Sequence, residues 1–206
     1  SFSGIIFVLI FISAILLSKE TYIVLITLCG FLSIWEFIRM IKLKNYASYI
    51  FFAFVLFLMI KRQDSYAIFL VLIITILSSV FLMYQLFAKK EIKFSNDRVK
   101  LGVTIRYVIF SICFLVLLPF YENSFHPYLM ISILSIIWVN DSFAFLVGKN
   151  FGKNKLFPSV SPKKTIEGFL GGLIFSLLTA MFISKINLDF SMLHWMVIGV
   201  IVSVIG

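Results

Sequence analysis

WVNDSFAFLVGKNFGKNKLFPSVSPKKTIEGFLGG, running from Trp138 to Gly172, decides how the rest of the chain is read. It opens inside an apolar run with Asn140-Asp141-Ser142. It then passes through a lysine- and glycine-containing stretch and returns to apolar sequence after Ser161-Pro162-Lys163-Lys164-Thr165-Ile166-Glu167-Gly168. An ionised carboxylate at the centre of a bilayer costs about 3 kcal/mol or more, so Asp141 is expected to face a polar cavity, a cation or a partner. The stretch therefore reads as a membrane helix carrying a polar cluster, a water-exposed connection and a second membrane helix.

The surroundings are uniformly greasy. The mean hydropathy is +1.10, and 62% of residues are hydrophobic. That excludes an ordinary soluble domain. Several runs approach the ~18 residues needed to cross a hydrocarbon core, and such runs satisfy their backbone groups internally as helices. No alternation extends far enough for a membrane barrel. The fold class expected is all-α: a polytopic transmembrane helical bundle with about seven membrane helices plus the start of an eighth. The helices are placed at 3–18, 21–40, 46–61, 66–88, 102–120, 127–147 and 166–184, with the last beginning near 191. Residues 1–206 are read as a single integral-membrane domain. The chain starts at Ser1 and stops at Gly206 inside an apolar run, so truncation at both ends is expected.

Charge orients this topology. Arg39, Lys42, Lys44, Lys89, Lys90, Lys93, Arg98, Lys100, Lys149, Lys153, Lys155, Lys163 and Lys164 fall on one side; Lys19, Lys61, Arg62 and Lys185 fall on the other. The positive-inside rule puts the N-terminus and the 148–165 connection in the cytoplasm. The net charge of +9 thus reads as topology and attraction to anionic lipid, not nucleic acid. Glu36 and Arg39, three residues apart, are spaced to pair on one helical face.

The chemistry concentrates in the opening stretch. Gly148-Lys149 through Gly152-Lys153 and Lys155 offers close backbone approach and positive charge to a phosphate, without the spacing of a Walker loop. Pro162 fits a first helical turn with Ser161 as N-cap. The amides of that turn, Lys163, Lys164 and the Thr165 hydroxyl would then form an anion-binding surface. Glu167 suits either the helix dipole or a metal ion bridging phosphates. Gly168, Gly171 and Gly172 read as a close-packing face. Cys29 and Cys113 are isolated in apolar helices, and His126 and His194 lack a second ligand at metal spacing.

Asn140-Asp141-Ser142, Gly148-Lys149, Phe151-Gly152-Lys153, Lys155-Leu156, Pro158, Ser161-Pro162, Lys164-Thr165 and Glu167-Gly168 together resemble the phosphatidate cytidylyltransferase (CDP-diacylglycerol synthase) family over about thirty-five residues. The Trp35-Glu36 neighbourhood extends the likeness more weakly. The resemblance implies a multi-pass inner-membrane nucleotidyltransferase of phospholipid biosynthesis. It would join CTP to phosphatidate, release pyrophosphate and depend on a divalent cation, Mg²⁺.

By that likeness the catalytic candidates are Asp141, Lys164 and Glu167. Asn140, Ser142, Lys149, Lys153, Lys155, Ser161 and Thr165 are substrate-binding candidates. Asp141 and Glu167 are candidate metal ligands, with the main ligands expected beyond Gly206. The partners implied are CTP, phosphatidate, membrane lipids and a second copy as a homodimer. Position 163 is Lys where the family usually has Gly, and position 166 is Ile where Trp is common. The family's C-terminal Lys-Asp, His-Gly-Gly and Asp-Arg-x-Asp elements do not occur before Gly206, so this segment is expected to be inactive alone. The alternatives are a CTP-dependent transferase acting on another lipid or polyprenol, and a small-solute transporter.

Overall fold

Apolar runs bounded by Ser, Asn, Pro and charged residues become helices almost throughout. The computed structural model describes residues 2–43, 46–61, 66–87, 96–121, 124–158, 160–186 and 190–205. Lys44, Arg62, Lys89, Lys90 and Lys93, which contribute to the expected sidedness, lie outside the described residues. Two compact units emerge, Ser1–His126 and Pro127–Gly206.

The first unit contains α1 (Phe2–Leu17), α2 (Lys19–Met40), α3 (Ala47–Lys61), α4 (Tyr66–Phe87), α5 (Asp97–Val103) and α6 (Phe110–Leu117). A π-helical segment, Thr104–Ile109, joins α5 to α6, and the hairpin β1 (Phe120–Tyr121)–β2 (Ser124–Phe125) follows. The second unit contains α7 (Pro127–Phe151), β3 (Lys155–Phe157), β4 (Ser161–Thr165), α8 (Ile166–Ile186) and α9 (Met192–Ile205). Lys19–Met40, Tyr66–Gln85, Asp97–Leu117, Pro127–Phe151 and Ile166–Ile186 are long and apolar enough to cross a membrane. The protein is all-α and polytopic.

Local chemistry explains the boundaries. Ser18 separates α1 from α2 through a capping box. Thr21 N–H donates to Ser18 Oγ at 3.1 Å, and Ser18 N–H donates to Thr21 Oγ1 at 3.1 Å. Asn96 caps α5 by accepting from Val99 N–H at 3.0 Å. Helical structure therefore begins at Asp97, five residues earlier than the periodicity indicated. Gly30 allows α2 to approach Phe52 and Ile112, whose atoms lie 2.7 and 2.9 Å from where a Cβ would stand. The expected Glu36–Arg39 pair is absent among the described residues. The Arg39 guanidinium instead lies 5.6 Å from the Trp35 ring centroid.

In the second unit, Trp195 is fully buried with Leu129, Ile136, Ala180 and Ile183. Gly199 brings α9 close to α8. There Ser176 Oγ and Ser203 Oγ stand 2.7 Å apart, and Ser203 donates to the Gly199 carbonyl at 2.9 Å. Paired hydroxyls of this kind join helices where lipid offers no competing hydrogen-bond partner.

Candidate functional site

The site is built on two helices held at backbone distance. A Cβ at Gly168 would stand 2.7 Å from the Ala144 carbonyl oxygen and 3.1 Å from Gly148 Cα. At Gly172 it would stand 2.8 Å from Asn140 Oδ1 and 3.0 Å from the Asn140 carbonyl. At Gly171 it would meet the Val147 side chain at 2.6 Å. The small-residue face therefore seats α8 on α7, as its spacing indicated. Phe143 and Phe175 stack across the same interface, with centroids 3.5 Å apart.

This contact corrects the expected loop boundaries. Gly148, Lys149 and Asn150 are helical, because α7 continues to Phe151. Gly148 faces Thr165 and Gly168, so its bare backbone serves helix packing and not a phosphate. Ser161 and Pro162 do not start a helix. They begin β4, which pairs antiparallel with β3 through Lys155↔Thr165 and Phe157↔Ser161. Between those two pairings, Pro162-Lys163-Lys164 on β4 stands opposite Leu156 alone on β3. The surplus residues form a bulge, which accommodates a proline without a ladder hydrogen bond.

The N-cap of α8 is Thr165, not Ser161. Its buried Oγ1 accepts from Gly168 N–H at 3.1 Å. Ile166 N–H donates to the Asn154 carbonyl at 2.9 Å. These bonds occupy amides of the first turn, so the expected open anion site at this helix end is closed by the chain itself. A Thr immediately before an apolar run is a cap signal, and it pointed to position 165 in the sequence. Thr165→Ala should lower stability by roughly 1–2 kcal/mol, read as a depressed unfolding midpoint in detergent. Serine at 165 should recover most of that loss.

Glu167 turns back toward the connection. Lys153 N–H donates to Oε2 at 3.1 Å, Asn154 N–H to Oε1 at 3.1 Å, and Asn154 Nδ2 to Oε1 at 2.9 Å. Both carboxylate oxygens are engaged. Asn154 was not singled out from the sequence; its partner lies thirteen residues away, beyond any periodic signal.

The remaining candidates separate by environment. Asn140 is buried against α8, and its Nδ2 lies 3.4 Å from Asp141 Oδ1. Asp141 and Ser142 are exposed on α7. Asp141 lies ten residues, about 15 Å, before the end of α7. Lys149, Lys153, Lys155, Lys163 and Lys164 are all exposed, and no acidic residue occurs from 142 to 166. Lys149 Nζ lies 5.9 Å from the Phe145 ring centroid. Ser161 is half-buried at the start of β4.

Asp141 and Glu167 stand at different levels of the helix pair. Asp141 neighbours Asn140, which packs at Gly172, five residues or about 7.5 Å along α8 from Glu167. Among the described residues no three His, Cys, Asp or Glu side chains converge. Of the two carboxylates in this stretch, Asp141 is the exposed one and Glu167 is half-buried.

Comparison with known proteins adds the family. The Cytidylyltransferase family model matches residues 1–206. The chain belongs to the Cytidylyltransferase family. Its similar cytidylyltransferases include a phosphatidate cytidylyltransferase of Aquifex aeolicus (strain VF5), 47% identical over 79 residues. That match covers 38% of this chain and 29% of the Aquifex protein. The phosphatidate cytidylyltransferase of Staphylococcus saprophyticus is 34% identical over 132 residues, covering 63% of this chain and 48% of its own. That of Bacillus subtilis (strain 168) is 25% identical over 218 residues, covering 99% and 78%. The chain thus spans less than half the length of the Aquifex and Staphylococcus cytidylyltransferases. No solved structure matches it. An integral membrane protein is in keeping with both the apolar helices and this family.

Proposed function

We propose that the protein is a membrane CTP:phosphatidate cytidylyltransferase that makes CDP-diacylglycerol. The observation that carries this reading is a lysine-bearing hairpin fixed to the start of α8, on the same helix pair as an exposed intramembrane carboxylate. Relatives named phosphatidate cytidylyltransferase supply the substrate class.

In the reaction a phosphatidate oxygen attacks the α-phosphorus of CTP. A new P–O bond forms, the bond to the β-phosphate breaks, and pyrophosphate carries away the electron pair. Such a transfer asks mainly for positioning and charge neutralisation. Lys153, Lys155, Lys163 and Lys164, with Lys149 at the end of α7, would hold the triphosphate. Lys164 lies within the bulge, and Thr165 fixes the hairpin to α8. Asn140 would orient Asp141, with Ser142 beside it.

A divalent cation, Mg²⁺, would neutralise phosphate charge when bound, with Asp141 as a ligand from this stretch. Inner-membrane residence, a cytoplasmic N-terminus and 148–165 connection, and homodimeric assembly complete the proposal.

The test uses the full-length protein reconstituted in liposomes with labelled CTP. CDP-lipid should form only with phosphatidate and Mg²⁺ present. Lys164→Ala should raise KM for CTP about tenfold, the loss of one charge-assisted phosphate contact. Product from polyprenyl phosphate in place of phosphatidate would move the assignment to a different lipid transferase. Solute flux without CTP turnover would abandon it.

A further inference from the structure

Glu167 has the appearance of a catalytic carboxylate in the sequence, but its surroundings give it a different task. Its two oxygens accept from the Lys153 and Asn154 amides and from the Asn154 side chain, at 2.9 to 3.1 Å. Asn154 in turn accepts at its carbonyl from Ile166 N–H. The start of α8 and the turn leading into β3 therefore hold each other through main chain and side chain alike. Every lysine between Lys153 and Lys164 is carried on the segment so closed.

We propose that Asn154 and Glu167 form a clasp that presets the lysine-bearing hairpin, and that Glu167 is a positioning residue, not a metal ligand or proton carrier. The inference rests on the lysines binding phosphate, as argued above. Its physical basis is preorganisation. A ligand that had to order the hairpin first would lose that cost from its affinity. Three hydrogen bonds from the Lys153–Asn154 turn set the orientation of the carboxylate from within the chain. The predicted kinetic signature is therefore weaker binding of CTP, with the chemical step less affected.

The test is an exchange of partners. Asn154→Asp sets two carboxylates face to face and should open the clasp. Adding Glu167→Gln supplies an amide donor to the new carboxylate, while the glutamine oxygen still accepts from the backbone. In the full-length, membrane-inserted protein, Asn154→Asp should raise KM for CTP about tenfold and speed hydrogen exchange at 152–155. The double variant should return both to within about threefold of wild type. A double variant with slow exchange but no activity would overturn the proposal, because the carboxylate at 167 would then have chemistry of its own. Unchanged exchange in Asn154→Asp would overturn it as well. Exchange that follows the clasp in a protein making no CDP-lipid would support the clasp and sink the assigned reaction.

Discussion

Gly168→Val should be among the most damaging single substitutions in the Pro127–Gly206 unit. The first added carbon would stand 2.7 Å from the Ala144 carbonyl oxygen and 3.1 Å from Gly148 Cα. Both obstacles are main chain, so no rotamer change relieves them. The helices must separate, and Thr165, whose hydroxyl caps the Gly168 amide, must move with them. Overpacking of this kind costs roughly 3 kcal/mol or more. Gly199→Ala provides the internal comparison. Its Cβ would stand 3.4 Å from the Ser176 carbonyl oxygen and 3.5 Å from Ala180 Cβ, ordinary contact distances. A change of no more than about 1 kcal/mol is expected. Unfolding midpoints of the purified protein in a denaturing-detergent titration would check both. Equal losses for the two variants would contradict the backbone contact.

Asp141→Asn should do the opposite to stability and far more to activity. The carboxylate is exposed on α7 about 15 Å from the helix end, where charge costs about 3 kcal/mol. Asparagine keeps the shape and removes that charge. Insertion and unfolding midpoint should hold or rise. CDP-lipid formation should fall about a hundredfold or more, the scale seen when a preorganised charge at a reacting group is lost. Such a split marks a residue kept for function at the expense of stability. Wild-type turnover in Asp141→Asn would remove Asp141 from the site, whatever the midpoint showed.

How far the sequence reached can be judged from these residues. Helix positions were legible because hydropathy in a membrane protein reports the solvent directly, and backbone satisfaction leaves only helices. The role of Gly168, Gly171 and Gly172 followed from side-chain size alone. The connection was less legible. Gly148-Lys149-Asn150 carries loop signals, but contact with Thr165 and Gly168 extends α7 through it. Pro162 carries a helix-start signal, but pairing of Phe157 with Ser161 draws it into a strand. In both cases a tertiary contact overrode local preference. Glu167 was identified as special for its charge and position. Its partner Asn154 could be found only once the chain had folded back.

The bulge opposite Leu156 bears on how this family varies. Lys42 is the only non-glycine residue with a positive φ among the described residues, so Lys163 sits in ordinary backbone geometry. A glycine there is not demanded by conformation, and an exposed residue without a ladder pairing makes few steric demands of its neighbours. The position behaves as an adjustable electrostatic dial. A unit of charge can be added or withdrawn beside the proposed nucleotide site while strand register, helix cap and helix packing stay untouched.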